Sequence, residues 1–312
     1  MNQVLDNSNI SVHLGKVSQY KSTYDSSLLV REPRQNNRTY LDIYDDKLPF
    51  VGFDTWNAYE CSFLLDNGCP VTGVAKIKYP CDSRYIVESK SIKLYFNSFN
   101  MEKMGSSFHL AIDKFIKTSS ADLSKLLETN VTVGFITPQE YDSTKMNAHS
   151  AYEKYYYNTL ETSINEKDIV SAMFDTFKET PDLLKSEAVY NLNVEHNFHS
   201  ALLKSNCRVT SQPDWGDVFI HYVGKHSIDK LSLLKYIVSF RSECHFHEEI
   251  CECIYKRLYD RFEPEELFVM CLYARRGGID INPVRANNHN VLYKYSSNLS
   301  NVSSPHIKMS KQ

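Results

Sequence analysis

Four short segments of the chain hold side chains whose types and spacing could do chemistry. The first is Lys204-Ser205-Asn206-Cys207-Arg208-Val209-Thr210-Ser211-Gln212-Pro213-Asp214-Trp215. A thiol with cations on both sides favours its thiolate, the nucleophilic form, and Asp214 a few residues on can exchange a proton with whatever the sulfur attacks. The same letters also make a buried strand thiol beside a surface carboxylate, and spacing alone does not choose between the two. The second segment is Cys244-His245-Phe246-His247-Glu248-Glu249-Ile250-Cys251-Glu252-Cys253. Its soft ligands suggest zinc, but Cys251 and Cys253 point to nearly opposite faces of a helix and no partner pair has a structural zinc spacing, so no metal is expected. His247 and Glu248 read instead as a pair. A carboxylate accepts two N–H bonds from a guanine-like edge and an imidazole shuttles protons near neutral pH, although the same residues make an ordinary acidic first turn of a helix. The third segment, Val87-Glu88-Ser89-Lys90-Ser91-Ile92-Lys93-Leu94-Tyr95, is by itself a capped helix start. In the fourth, Arg275-Arg276-Gly277-Gly278-Ile279-Asp280, two guanidinium forks before two glycines could hold a phosphate or form a charged turn.

The elements that must position these groups follow from the hydrophobic pattern. Phe50 to Phe63 and Val71 to Tyr79 read as strands around Asp66-Asn67-Gly68, a tight hairpin turn. Tyr85-Ile86-Val87 stays extended, helices follow from Ser89 and between Phe108 and Leu127, and Val131 to Ile136 alternates as a strand. The second half repeats the order. Strands are expected over Tyr190 to Leu203 and Asp217 to Val223, helices over Ser227 to Phe240 and His247 to Phe262, and a closing strand over Leu267 to Ala274. The letters repeat too, since Leu64-Leu65, Cys69 and Val71-Thr72 match Leu202-Leu203, Cys207 and Val209-Thr210 at one offset. Duplication of one module is the reading, with an N-terminal arm over 1–45, a first module over 46–144, a connection over 145–185, a second, catalytic module over 186–291 and a mobile tail over 292–312.

Composition bounds the function. The chain has 312 residues, 42% hydrophobic and 23% charged, with a formal net charge of -3, which fits a globular protein and gives no positive field for a nucleic-acid backbone. No apolar run approaches the roughly 18 to 20 residues of a bilayer span, and Met1-Asn2-Gln3-Val4-Leu5 begins no secretory signal, so a cytoplasmic protein is expected. The eight cysteines are irregularly spaced and are read as reduced thiols, not a disulfide framework. None of the ten glycines makes GxGxxG or GxxxxGK[ST], which excludes a Rossmann fingerprint and a P-loop.

Taken in order, Glu88-Ser89-Lys90-Ser91-Ile92-Lys93-Leu94-Tyr95, Lys204-Ser205-Asn206-Cys207 with Gln212-Pro213-Asp214-Trp215, Phe246-His247-Glu248 and Arg275-Arg276-Gly277-Gly278 closely resemble the NADPH-dependent 7-cyano-7-deazaguanine reductases, the nitrile reductases of queuosine biosynthesis, in their long two-module form. Similarity extends through Tyr24-Asp25, Leu48-Pro49-Phe50, Asp54 to Glu60 and Asp280 to Pro283. The resemblance implies an α+β tunnelling fold (T-fold) of two tandem ββααββ modules related to GTP cyclohydrolase I, acting as a homodimer. It implies that Cys207 attacks the nitrile carbon to give a thioimide and that Asp214 donates a proton. Val87, Glu88, Ser89, His247 and Glu248 would hold the deazaguanine, and Ser89, Lys90, Arg276 and Gly277 would contact NADPH. Arg208 departs from the pattern, which has a smaller or apolar residue after the nucleophile. Two competitors are a zinc-dependent cyclohydrolase on the same fold, which lacks a ligand set, and a non-catalytic nucleobase-binding module, which has no use for Cys207 and Asp214 together.

Overall fold

The structure is a computed structural model that describes residues 23–140, 157–187, 193–305, 309 and 311–312. Strands β1 (Val51–Leu65) and β2 (Pro70–Pro80) pair antiparallel around a turn in which Gly68 takes a φ of 86° and Asn67 Oδ1 accepts the Cys69 N–H at 3.0 Å. That left-handed conformation favours glycine, and the short Asn side chain closes the turn locally. β3 (Tyr85–Val87) leads into α1 (Ser89–Asn97), followed by α2 (Phe108–Leu127) and β4 (Thr132–Ile136). The 20-residue α2 starts at the Ser107 cap and buries Ala111, Phe115, Ser119, Leu123 and Leu127, one residue per turn on the face toward the sheet. The second half runs β5 (Val194–Cys207), β6 (Pro213–Gly224), α3 (Lys230–Ser239), β7 (Cys244–His245), α4 (His247–Phe262) and β8 (Glu266–Tyr273). The order hairpin, two helices, strand is thus present in both halves of an α+β chain. Among the described residues, no helix is long and apolar enough to cross a membrane.

Two elements of eight or more residues lie beyond those the sequence pattern marks. β9 (Ile279–Ala286) forms a hairpin with β8 and pairs along its whole length with β1, so it joins the halves into one ten-stranded sheet with the central order β7-β5-β6-β8-β9-β1-β2-β4. Its letters hide it because Asp280, Asn282, Pro283 and Arg285 interrupt the apolar alternation. All four are nonetheless buried, with the polar ones bonded across the seam to Asn57, the Thr55 carbonyl and Asp54. Pro283, which lacks an N–H, stands just outside the three-pair ladder with β8. The Ser- and Asn-rich stretch expected as a mobile tail from 292 is instead helix α5 (His289–Ser300) as far as Ser300, because Val291, Leu292, Tyr295 and Leu299 fall on one face. They pack against Phe268, Met270 and Leu272, while Leu267, Val269, Cys271 and Tyr273 face α4. β8 is therefore covered on both sides, which explains its unbroken apolar run.

The repeat in the letters needs one correction. Cys69 stands in the exposed turn before β2, whereas Cys207 is the buried last residue of β5, because the second loop, from Arg208 to Gln212, sits elsewhere in register. Part of the strand expected from Tyr190 lies outside the described residues, as do parts of the expected arm and connection.

Beneath the seam is a buried charge network. Arg285 Nη1 is 2.8 Å from Asp54 and its Nη2 2.8 Å from Glu252; Arg34 bonds Asp54 at 2.5 Å, and Arg38 bonds Glu252 at 2.8 Å. Burial raises Glu252, but Arg38 and Arg285 outweigh it and hold the carboxyl down to about 2. Removing one partner of such a set leaves an uncompensated charge, so Glu252→Gln is expected to cost roughly 3 to 5 kcal/mol of unfolding free energy in urea titration. The sign with pH is fixed as well. A carboxylate depressed in the folded state stabilises above its unfolded pKa and loses that contribution as pH falls through about 2, so the gap between wild type and Glu252→Gln should close progressively below about pH 4.

Candidate active site

Cys207 lies where β5 ends against its loop, with its N–H donating to Gln212 O at 2.8 Å and its carbonyl accepting the Ser211 N–H at 2.9 Å. Ser211 takes a φ of 55°, which turns the loop back over the sulfur. Burial raises the thiol, but the Thr210 hydroxyl, the N–H groups of Thr210 and Val209, and the Arg276 guanidinium outweigh it, so the thiol sits below its ordinary value. The cations flanking it in sequence are not the ones responsible. Lys204 Nζ bonds Asn206 Oδ1 at 2.7 Å and Arg241 O at 2.6 Å, and Arg208 Nη1 pairs with Glu249 at 2.7 Å. Arg276 reaches the sulfur from the far end of the chain, on the hairpin turn between β8 and β9.

Asp214, the second residue of β6, is 7% exposed and holds that guanidinium, Oδ1 to Nη1, at 2.7 Å. Its Oδ2 lies 3.4 Å from His247 Nε2. The imidazole stacks on Tyr273 with centroids 3.8 Å apart, so it is fixed in place by a ring from β8. Thiol, acid, guanidinium and imidazole thus converge from β5, β6, the β8–β9 turn and α4. Arg276, expected as a cofactor contact, is also the partner of Asp214 and of the thiol. Tyr273 and Thr210 carry no motif of their own and become visible only through the strand register and the loop.

The first turn of α4 splits its side chains by its helical geometry, so His247 and Glu248 do not act as a bonded pair. Glu248 is buried toward β2, where the Tyr79 hydroxyl donates to it at 3.4 Å. Burial first, then the charge of Asp54, push its carboxyl up to about 8 against the pull of Arg34 and Arg285. Glu249 turns the other way, accepting the Phe246 N–H at 3.0 Å and closing the helix start. His245 sits between Glu243 at 3.1 Å and Glu249 at 3.3 Å; burial lowers its pKa, and the two carboxylates outweigh that to raise it to about 9.

Of the residues expected from the first half, Val87 is buried at the end of β3 and Glu88 is the cap of α1, accepting the N–H groups of Lys90 at 3.0 Å and Ser91 at 2.7 Å. The Ser89 hydroxyl lies 3.5 Å from the same carboxylate. Glu32, antiparallel to β3, brings this cap toward the catalytic half, since burial raises its carboxyl and Arg208, Glu249 and Glu88 all act on it. Lys90 Nζ is buried with no partner among the described residues. Lys93, one turn on, lies under Gly277, whose φ is 60°; a Cβ there would meet Lys93 at 3.6 Å, and one on Gly278 would overlap Glu60 at 2.6 Å. The exposed Glu60 side chain can swing aside, and it is the φ of 79° at Gly278 that favours glycine in this turn. Cys251 packs toward the carbonyls of Val269 and Pro283 while Cys253 faces Tyr236, so the two thiols diverge as the helical spacing predicts.

In an α+β protein, this arrangement gathers a thiol held below its ordinary value, a carboxylate paired with a guanidinium and an imidazole stacked on a tyrosine ring. The model of the family described as nitrile reductase, 7-cyano-7-deazaguanine-reductase N-term, matches residues 20–135, and that of the QueF-like proteins matches residues 213–291. An NADPH-dependent 7-cyano-7-deazaguanine reductase of Coxiella burnetii (strain RSA 331 / Henzerling II) is 38% identical over 276 residues, 88% of this chain and 91% of its own. One of Burkholderia multivorans (strain ATCC 17616 / 249) is 40% identical over 274 residues, 88% of this chain and 92% of its own. The chain belongs to the NADPH-dependent 7-cyano-7-deazaguanine reductase family.

The electrostatics make a test. Alkylation of Cys207 by iodoacetamide should follow a midpoint below that of an ordinary thiol, and Arg276→Ala should move that midpoint upward, because the guanidinium that favours the thiolate is lost. Arg208→Ala should leave it in place. The opposite ordering of the two variants would assign the thiol to its sequence neighbours.

Proposed function

We propose that this chain reduces the nitrile of 7-cyano-7-deazaguanine to the aminomethyl group of 7-aminomethyl-7-deazaguanine through a covalent thioimide on Cys207, serving queuosine biosynthesis. The Arg276 guanidinium, which acts on the lowered Cys207 thiol and holds Asp214 at 2.7 Å, carries this reading. The Cys207 thiol gives its proton to Asp214 as the sulfur adds to the nitrile carbon, forming a C–S bond as one C–N π bond breaks, and Asp214 passes that proton on to the nitrogen. His247, beside Asp214, is placed to return a proton to it. When bound, NADPH would supply the hydrides, two for each nitrile, so that one amine forms, two NADP+ are released and the Cys207 thiol is regenerated. The chain's part is to hold the carbon, move the protons and keep water out of the seam.

Glu248 reads the N–H edge of the deazaguanine in this scheme, with Val87, Glu88, Ser89 and His247 around the ring. A carboxyl raised to about 8 is largely neutral at pH 7, and N–H donors stabilise its ionised form, so binding should release a proton. Lys90 fits NADPH because a buried ammonium without a partner suits a phosphate, and Ser89, Arg276 and Gly277 adjoin it through Lys93. We further read residues 46–144 and 186–291 as tandem tunnelling-fold modules related to GTP cyclohydrolase I, joined at β9, in a homodimer.

Turnover should consume two NADPH for each amine formed, followed by cofactor absorbance and product mass. Lys90→Ala should raise the Michaelis constant for NADPH by about tenfold or more, as loss of a charge-assisted bond worth roughly 1.5 to 3 kcal/mol requires, with little change in that for the nitrile. An equal rise in both constants would place Lys90 in the nucleobase pocket instead. Nitrile binding in buffers of different ionisation enthalpy should report proton release at pH 7, and proton uptake would contradict the assignment of Glu248.

A further inference from the structure

The sheet parts beside the catalytic groups. β8 and β9 pair at three positions only, from Phe268 with Ala286 to Met270 with Val284. Beyond Met270, β8 follows β6 as far as Tyr273 opposite Gly216, and β9 follows β1 as far as Ile279 opposite Ala58. The two strands stay unpaired with each other until the Arg276–Ile279 bridge closes their turn. Tyr273, on which the His247 ring is stacked, and Arg276, which holds Asp214, both belong to this parted stretch. A hairpin end without ladder bonds is free to open unless something else spans it.

Gln312 spans it. Its Nε2 donates to Tyr273 O of β8 at 3.2 Å and to Asn282 Oδ1 of β9 at 2.7 Å, and its Oε1 accepts the Met309 N–H at 3.3 Å. Every polar atom of the amide is therefore in use. Lys311 grips the neighbouring strands. Its Nζ donates to Ala201 O of β5 and, at 3.3 Å, to Gly216 O of β6, at the bulge where that ladder shifts register. Gly216 is two residues from Asp214 and lies directly opposite Tyr273, so close that a Cβ on it would meet the Tyr273 ring at 3.2 Å. The grip is itself anchored, because Met309 packs against the α5 cluster and its carbonyl accepts the Gln312 N–H at 3.0 Å.

We infer that Gln312 and Lys311 are positioning residues for the proposed reduction: they hold Tyr273 beside Gly216 and tie the parted β8–β9 hairpin, so that His247 stays on Asp214 and Arg276 stays on Cys207. The inference rests on the roles proposed for Cys207, Asp214 and His247.

The test uses the full chain carrying Gln312→Met, which keeps length and charge and removes the donor. Its kcat should fall roughly fivefold or more, the scale of one lost hydrogen bond, while the Michaelis constants for nitrile and NADPH change by less than about twofold. The midpoint of Cys207 alkylation by iodoacetamide should rise, because a looser hairpin withdraws Arg276. In a chain already carrying Arg276→Ala, adding Gln312→Met should move that midpoint no further. Lys311→Met should also lower kcat, whereas Lys311→Arg, which still donates to both carbonyls, should not. A kcat and a midpoint both unchanged in Gln312→Met would overturn the inference, and so would an equal rise of the midpoint with and without Arg276, or equal losses in Lys311→Met and Lys311→Arg. If the wild-type chain failed to turn over the nitrile while Gln312→Met still raised the midpoint, the proposed reduction would fall and the hold on Arg276 would stand.

Discussion

Everything in the site hangs on the charges sealed beneath β9. Arg285 stands between Asp54 of β1 and Glu252 of α4, and Arg34 and Arg38 close the set from the N-terminal segment. Ions that deep are tolerated only when each has its partners, so the helix, both halves of the sheet and the segment before β1 are held in one register. α4 is the element that matters most, because Glu252 lies one turn along from Glu248 on the same face. Moving the helix to relax the charges would take His247 off Asp214 and Glu248 off Tyr79.

The same field sets the chemistry of the two carboxyls. Glu252, bonded by guanidinium groups, is held near 2, while Glu248, buried without a bonded cation and close to Asp54, is pushed up to about 8. One turn of helix separates an obligate anion from a carboxyl able to change its charge when a ligand arrives. On the other wall the sulfur is treated in the opposite way, since Thr210, the loop amides and Arg276 stabilise its anion despite burial. A lowered thiol and a raised carboxyl thus arise in one fold from opposite balances of burial and neighbouring charge.

The strands and helices with regular apolar spacing were legible in the letters, as α2 and α4 show, because period and caps agree there. β9 was not, since its polar residues earn their burial only through partners far away in sequence, such as Asn57 and Asp54. α5 was hidden by its Ser and Asn content, although its apolar face is plain once β8 is seen to be buried on both sides. Cys207, Asp214 and Arg276 could be picked out from the letters, but not the bonds between them. Sequence adjacency suggested Lys204 and Arg208 as the cations beside the thiol, whereas Lys204 on β5 bonds Asn206 and Arg241, Arg208 in the loop pairs with Glu249, and the fold delivers Arg276.

The account turns on the covalent step at Cys207, and peptide-mapped mass spectrometry of the chain incubated with 7-cyano-7-deazaguanine in the absence of NADPH tests it most directly. The ligand's full mass should appear on the peptide carrying Cys207, leave Cys69 untouched, and disappear when NADPH is added as the amine forms. An adduct mapped to another cysteine, or none under conditions where the wild-type chain turns over, would contradict the account.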